Sequence, residues 1–496
     1  MLLLKEETTK LHPESRDKKR FSKVRFAKLS RGKKRRNKIH LPPTTQAFSH
    51  PSSPRGIWEK TFLIFTASIH HNMLVVKDIL DNKEKAIAGL KKRNIATAEE
   101  LINSVIALDA ERKSAISEME TVLAESNQIA KSVGQLMKEG KKEEAEQVKA
   151  KAAELRTKST TLKEETAVIE EKLQALLYTI PNVPNDIVPN GKTPEENLTV
   201  FEHGSIPKLH EGAVPHWDLL KKYNLADFEV GVKITGAGFP VFKGKGAMLN
   251  RALINFFLSE AIKAGYEEVI PPLLINEASG YGTGQLPDKE GQMYHCTVDN
   301  LFLIPTAEVP ITNLYRDEII NAENLPIKNV GYTPCFRREA GSYGKDVRGL
   351  NRLHQFDKVE IVQIQHPDKS YETLDNMVDH VKGLLNKLGL PYRILRLCGG
   401  DMGFTSALTY DFEVYSAAQE KWLEVSSVSN FETFQANRSK IRYRSGQDKP
   451  QLAHTLNGSA LALPRILAAL LENNQTADGV IIPEVLQPFT GFNKIS

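Results

Sequence analysis

At 496 residues the chain is long enough for two or three domains with substantial cores. Its composition, 41% apolar and 26% charged, is that of an ordinary globular protein, and no run of about 18 uninterrupted apolar residues offers a membrane span. The three cysteines, Cys296, Cys335 and Cys398, are too far apart for paired metal ligands, which speaks against a zinc site and for a reducing compartment, the cytoplasm.

The net charge of +5 conceals an asymmetry. Residues 1–72 carry 17 Lys+Arg against 5 Asp+Glu, so the other 424 residues are net −7. Six of the eight residues at 31–38 are basic, and prolines and serines follow at 42–54. The segment reads either as a disordered tail or over-extended reading frame, or as a targeting or RNA-binding tail. A mitochondrial leader is poor in acids, yet Glu6, Glu7, Glu14 and Asp17 all come early; organellar import through this segment stays an alternative. Met73 opens an apolar stretch that reads as a natural protein start. The expected organisation is a basic extension (1–72), a helical arm domain (73–182) and a catalytic domain (183–496).

Residues 97–179 have helical periodicity. Leu101, Val105, Leu108, Arg112, Ala115, Met119, Val122, Ser126, Ile129, Val133 and Leu136 fall at alternating four- and three-residue steps, a heptad seam with two polar interruptions. Gly140 breaks the pattern, and Val148, Ala152, Leu155, Ser159, Leu162, Thr166, Ile169, Leu173 and Leu176 resume it. Two matched segments around one glycine predict an antiparallel hairpin about 60 Å long. Periodicity alone fits a dimerising or scaffolding coiled coil as well as an RNA-gripping arm. Lys138, Lys141 and Lys142 near the tip would suit phosphates. Pro181, Pro184 and Pro189 then mark a linker. Beyond residue 190 short strands alternate with helices, the texture of an α+β domain. Residues 247–264 read as an amphipathic helix and 267–272 as a strand ending at prolines.

Three later segments carry chemistry. Phe336-Arg337-Arg338-Glu339 precedes a Gly-rich loop with Lys345, Arg348 and Arg352, then a strand over 353–365. Arg337 can clamp a phosphate with its planar fork, and Glu339 can accept a hydrogen bond from an adenine amino group. Alternation puts Phe356, Lys358 and Glu360 on one face, with Phe356 and Glu360 about 13 Å apart, enough to separate the adenine and acyl ends of an adenylate. Glu424-Val425-Ser426-Ser427 could bind Mg²⁺ between phosphates. Strict alternation, however, places Glu424 and Ser427 on opposite faces, so a joint role requires a bulge or the strand's end. In the third segment, Asn457-Gly458-Ser459-Ala460 leads into an apolar helix. Pro464 suits its first turn, and Arg465 could reach the terminal phosphate of ATP.

In this order the segments resemble motifs two and three of the class II aminoacyl-tRNA synthetases. The closer resemblance is to the seryl-tRNA synthetases, through residues 282–287, Thr306-Ala307-Glu308, residues 336–342 and 354–360, Glu424-Val425-Ser426-Ser427 and Asn457-Gly458-Ser459. It spans residues 73–492. It implies a six- or seven-stranded antiparallel sheet flanked by helices and preceded by the arm. The implied reaction joins serine to tRNA(Ser), with tRNA(Sec) as a further candidate, through a seryl-adenylate made from ATP. Thr306, Ala307, Glu308, Glu360 and Ser459 would line the serine pocket, with Arg337 near the carboxylate. Arg337, Arg338, Glu339, Leu353 (through its backbone), Phe356, Val425, Ser426 and Arg465 would hold ATP. Glu424 and Ser427 would hold Mg²⁺, with Arg337, Glu424 and Arg465 as the catalytic set. Residues 247–272 resemble motif one, which implies a homodimer; no membrane partner is implied. No histidine is given a catalytic role, and His354 is read as structural.

Departures are Ala460 and Pro464, where glycines are frequent, and Arg338, where a small residue is frequent. Ala460 is expected to bring a methyl close to the substrate. The rivals are a paralogue that activates another small amino acid or loads a carrier protein, which should lack the arm, and a non-catalytic RNA-binding or scaffold protein, which should have lost Arg337, Glu339, Glu360 or Arg465.

Overall fold

The computed structural model describes residues 76–340 and 348–496. The basic extension 1–72, the expected start at Met73, and Gly341, Ser342 and Lys345 of the Gly-rich loop lie outside the described residues. Among the described residues no helix is long and apolar enough to cross a membrane.

Two short helices, α1 (Val76–Asp81) and α2 (Lys83–Lys92), precede the arm. The arm is α3 (Ala98–Lys138) and α4 (Lys142–Leu177), reversed at Gly140, whose φ of 75° favours glycine. In α4 the expected seam is the buried one, from Ala152 through Leu162, Thr166, Ile169 and Leu173. In α3 the outer positions Val122 and Ser126 are buried as expected, but near the root the stripe is Ala98, Ile102, Val105 and Asp109. The physical reason is that the root of α3 packs on two partners. Val76, Ile79, Ala86, Ile87 and Leu90 of α1 and α2 form one cluster with Ile102, Leu173 and Leu177. Leu101 and Leu108 are left partly buried at its margin.

The segment that reads as a linker is a fixed seam. Ile180 is fully buried, and the Asn182 amide donates to the carbonyls of Thr405 (3.0 Å) and Phe431 (2.9 Å). Arg93, just past α2, donates through Nε to Asn182 (2.7 Å), through one terminal nitrogen to Met402 and Gly403 (3.1 Å each), and through the other to Ser406, all at carbonyl oxygens. The helical root is thereby stitched to the body of the protein.

Eight strands form the central sheet: β1 (Leu198–His203), β2 (Glu267–Glu268), β3 (Ile327–Phe336), β4 (Gln355–Gln365), β5 (Tyr392–Arg396), β6 (Leu408–Ser416), β7 (Lys421–Asn430) and β8 (His454–Ala462). Their order is β1-β5-β6-β7-β8-β4-β3-β2. Seven strands pair antiparallel, and the two-residue β2 adds a parallel edge on β3. The α+β expectation therefore holds, with one short edge strand more than foreseen. Helices beyond the arm include, in chain order, α5 (His216–Lys222), α6 (Gly244–Lys263), α7 (Glu308–Thr312), α8 (Ser370–Leu388) and α9 (Leu463–Asn473). Apolar positions at three- and four-residue spacing explain the packing helices: Leu249, Leu253, Phe256 and Phe257 in α6, and Leu374, Met377, Val381, Leu384 and Leu388 in α8. They join Val359, Ile361, Phe412 and Val428 of the strands in one core, each side chain contributing roughly 1.5–3 kcal/mol by burial. Gly389, at φ 67°, ends α8, and Pro464 opens α9.

Candidate active site

A cleft of about 700 Å³ lies along the strands β4, β8, β7 and β6, with Arg337 and Glu339 just past the end of β3 at its edge. The order of those strands decides what meets there. Register pairs Glu360 with Ser459 across β4 and β8, residues 99 apart in the chain, and Phe356 with Cys335 across β4 and β3. Phe356, Lys358 and Glu360 all line the cleft, as alternation along one strand requires.

One end is acidic and enclosed. Glu360 is 1% and Glu308 7% exposed. The Lys358 ammonium lies 2.5 Å from Glu360 and donates to the Thr306 hydroxyl at 2.8 Å. The Ser459 hydroxyl faces Glu360 at 3.4 Å. Glu308 accepts from the Gln435 amide at 2.6 Å, and Gln435 in turn accepts from the Thr455 hydroxyl at 2.8 Å. Burial, and next the charge of Glu360, push the Glu308 carboxyl up to about 7, while the Gln435 hydrogen bond and the Lys358 charge pull against them. The two carboxyl groups thus share the Lys358 ammonium at this end.

The other end is cationic and aromatic. The Arg337 guanidinium sits 5.2 Å from the Phe356 ring centre and donates to the Pro305 carbonyl at 3.4 Å. Glu339, in left-handed backbone at φ 49°, pairs with Arg352 on the returning limb of the loop. Arg465 donates to the carbonyls of Glu424 (2.7 Å) and Asn351 (3.0 Å), with its guanidinium 3.6 Å from the Glu424 carboxylate. Leu353 borders the same space. His354 stacks on Phe239 at 5.3 Å and 12°, and its Nδ1 meets the Arg337 carbonyl at 3.1 Å, a support beneath the arginine.

The bulge that a joint role of Glu424 and Ser427 requires is present. Phe412 pairs with Ser426 and Glu413 with Glu424, which leaves Val425 as the extra residue. Glu424 therefore pairs with Glu413 and Ser427 with Asp411, two positions on one face of β6, and both line the cleft. Among the described residues no group of three or more His, Cys, Asp or Glu could hold a metal ion by itself. Beside Ser427, however, Oδ1 of the buried Asp411 has no hydrogen-bond partner. Burial, then the Glu424 charge, raise the Asp411 carboxyl well above the usual carboxylate range. This partial oxygen set fits a Mg²⁺ that arrives with phosphate oxygens and water of its own.

Three expected residues stand elsewhere. The Ala307 methyl packs on Ile311 and Val362 rather than in the cleft. Arg338 is exposed and outside the cleft lining, and its amide donates to the Gln292 carbonyl at 2.8 Å. Ala460, expected to crowd the substrate, points into the apolar core, because alternation from the cleft-lining Ser459 turns it to the other face; a second bulge, which sets Glu360 against Ser459 and Lys358 against Ala462, adds Leu461 to the same core. Sequence reasoning gave no role to Lys358, Asn457 or Asp411, all of which line the cleft, or to Gln435. Lys358 carried a signal, since a lysine sits between Phe356 and Glu360 on one face. Gln435 carried none.

Residues 294–474 match the tRNA synthetase class II core domain (G, H, P, S and T), and residues 73–184 match the seryl-tRNA synthetase N-terminal domain. The chain is 49% identical over 425 residues to the serine--tRNA ligase of Salinibacter ruber, covering 85% of this chain and 99% of that one. It is 46% identical over 422 residues to that of Trichlorobacter lovleyi, covering 84% and 98%. Among solved structures, seryl-tRNA synthetase from Pyrococcus horikoshii complexed with ATP superposes with a TM-score of 0.80 at 33% identity, over 85% of this chain and 99% of that one. With both domains matched and near-complete coverage of relatives this similar, the chain belongs to the seryl-tRNA synthetase family of the class II aminoacyl-tRNA synthetases.

Proposed function

We propose that the chain activates L-serine with ATP and attaches it to tRNA(Ser), with tRNA(Sec) as a second acceptor, through a seryl-adenylate. The observation that carries this reading is one cleft with a buried Glu308–Glu360 pair at one end and Arg337, Phe356 and Arg465 at the other. Glu308 takes the serine ammonium. Glu360, Ser459 and Thr306 take the hydroxyl side, where a buried polar partner rejects analogues without a hydroxyl. Arg337 swings from Phe356 to span the serine carboxylate and the α-phosphate, leaving the ring face to adenine, whose amino group reaches Glu339. Arg465 holds the terminal phosphate. Glu424 and Ser427 would hold the Mg²⁺ of ATP, which when bound would offset phosphate charge.

The serine carboxylate is already ionised, so it attacks the α-phosphorus without a protein base. The bond to the bridging oxygen breaks, and pyrophosphate leaves with the electron pair. The protein's contribution is positional and electrostatic. The 3′-terminal ribose hydroxyl of the tRNA then takes the seryl group and AMP departs. Lys138, Lys141 and Lys142 at the arm tip are exposed, which supports phosphate contacts to the tRNA. Met248, Ile262 and above all Ile270, 88% exposed, support a homodimer contact across the motif-one segment. Serine-dependent ATP–pyrophosphate exchange tests the reading. Exchange with glycine or alanine but not with serine would overturn it.

A further inference from the structure

The ATP end of the cleft has two walls from distant parts of the chain. One is α9, which carries Arg465. The other is the returning limb of the Gly-rich loop, residues 350–353, all of which line the cleft. Arg465 meets that limb at the Asn351 carbonyl, 3.0 Å away. Two turns further along the same face of α9, about 10 Å on, stands Glu472, to which the reaction above gives no part.

Glu472 is 0% exposed and accepts five hydrogen bonds. Its Oε1 takes them from the His216 amide (2.8 Å), His216 Nδ1 (2.7 Å) and the Gln419 amide (2.9 Å). Its Oε2 takes them from the Ser416 hydroxyl and the Ala418 amide (3.2 Å). Burial alone would raise this carboxyl, but the donors, His216 and Ser416 foremost, outweigh it and hold the group below the usual carboxylate range. Because Nδ1 donates to Glu472, Nε2 of His216 is left as an acceptor, and it receives the Leu350 amide at 2.9 Å. A Cβ on Gly349, at φ 66°, would come within 2.3 Å of that nitrogen, so glycine lets the limb close on the ring. Gln419, held by Glu472, accepts from the Asn351 amide at 2.8 Å. Trp217, next to His216, carries the Arg348 guanidinium 4.6 Å from its ring centre.

We propose that Glu472 is a positioning residue for the ATP half of the cleft. Through His216 it fixes the Leu350 amide, and through Gln419 the Asn351 side chain, so that one face of α9 clamps the limb at two points, Arg465 directly and Glu472 by relay. Neutral glutamine at 472 keeps the shape but sets an amide nitrogen, which cannot accept, against two or three of the five donors, weakens the bonds to the remaining oxygen, and lets the His216 tautomer invert. The serine end hangs on a separate set, Gln435, Lys358 and Thr306, so its binding is spared.

The inference rests on the ATP-activating reading, and its main readout is independent of turnover. In the full chain, calorimetric ATP binding by Glu472→Gln should weaken about tenfold, and by Gln419→Ala about threefold. In ATP–pyrophosphate exchange the KM for ATP should rise in step, while the KM for serine stays within about twofold. ATP binding within twofold of the unaltered chain in both variants overturns the proposal, as does an equal loss for ATP and serine accompanied by a lowered Tm. If Glu472→Gln does not fold, Gln419→Ala decides alone, since it removes a bridge without leaving a buried charge unpaired. Absence of exchange in the unaltered chain would instead defeat the functional reading, with ATP binding still deciding the role of Glu472.

Discussion

In the arm, α3 and α4 bury mainly each other, and the buried positions recur every three or four residues along the chain. In the sheet domain Glu360 faces Ser459 from 99 residues away, and Glu308 leans on Gln435 from 127. The first kind of structure is local and repetitive, so its outer turns can be removed without reaching the rest. The second depends on strand order, so its site responds to changes anywhere the order is set. Binding a long RNA suits the first, and aligning two small reactants suits the second.

The sharpest way to break this contrast is to cut the arm. Deleting residues 115–165 removes the outer turns and keeps the root cluster, so tRNA charging should fall by a hundredfold or more, on the order of several lost phosphate contacts, while serine-dependent exchange changes less than about twofold. Charging that survives the deletion would mean the arm is not the tRNA grip.

A smaller effect probes the other region. Glu308 must be ionised to hold an ammonium, and its carboxyl is pushed up to about 7. For serine, kcat/KM in the exchange reaction should therefore climb toward tenfold per unit below about pH 7 and level off above it. The sign for stability is opposite. A carboxyl whose folded pKa is raised contributes stability at low pH that is lost as pH rises through about 7, so the free protein loses that increment while serine regains it. Thermal shifts should thus show serine raising Tm more at about pH 8 than at about pH 6. A flat serine profile would remove Glu308 from the ammonium site.

Smallest is the turn itself. A Cβ on Gly140 would meet nothing within 4 Å, so Gly140→Ala costs only the left-handed backbone conformation, about 1 kcal/mol. Amide exchange should quicken at the tip alone, with tRNA charging within about twofold. A tenfold loss of charging would show that the turn does more than reverse the chain.

The sequence was most legible where structure is periodic. Both arm helices, their glycine turn and the outer seam follow from spacing, and only the root, where α1 and α2 intrude, shifts the stripe from Leu101 and Leu108 to Ile102 and Asp109. Phe356, Lys358 and Glu360 share a face because strands alternate. Alternation failed where a strand gains a residue. The bulge at Val425 puts Glu424 and Ser427 on one face, and the irregularity between Ser459 and Ala462 sends Leu461 into the core beside Ala460 and brings Ala462 to the cleft. Each is a property of two paired strands, which no single strand's pattern contains. Gln435, His216 and Glu472 were invisible for the same reason. Each is an unremarkable polar residue until the fold sets its partner beside it.

Arg93 gives the arm's root a mechanical meaning. Four carbonyl oxygens, from Asn182, Met402, Gly403 and Ser406, converge on one half-buried guanidinium where the helical root meets the loop that carries Phe404 and Thr405 along the cleft rim. A rod about 60 Å long moves its far end about 1 Å for each degree of tilt at its base. The accuracy with which a nucleic acid held near the tip would be aimed at the cleft is then set at the fulcrum, where Arg93 and Asn182, which touch neither end, hold the root.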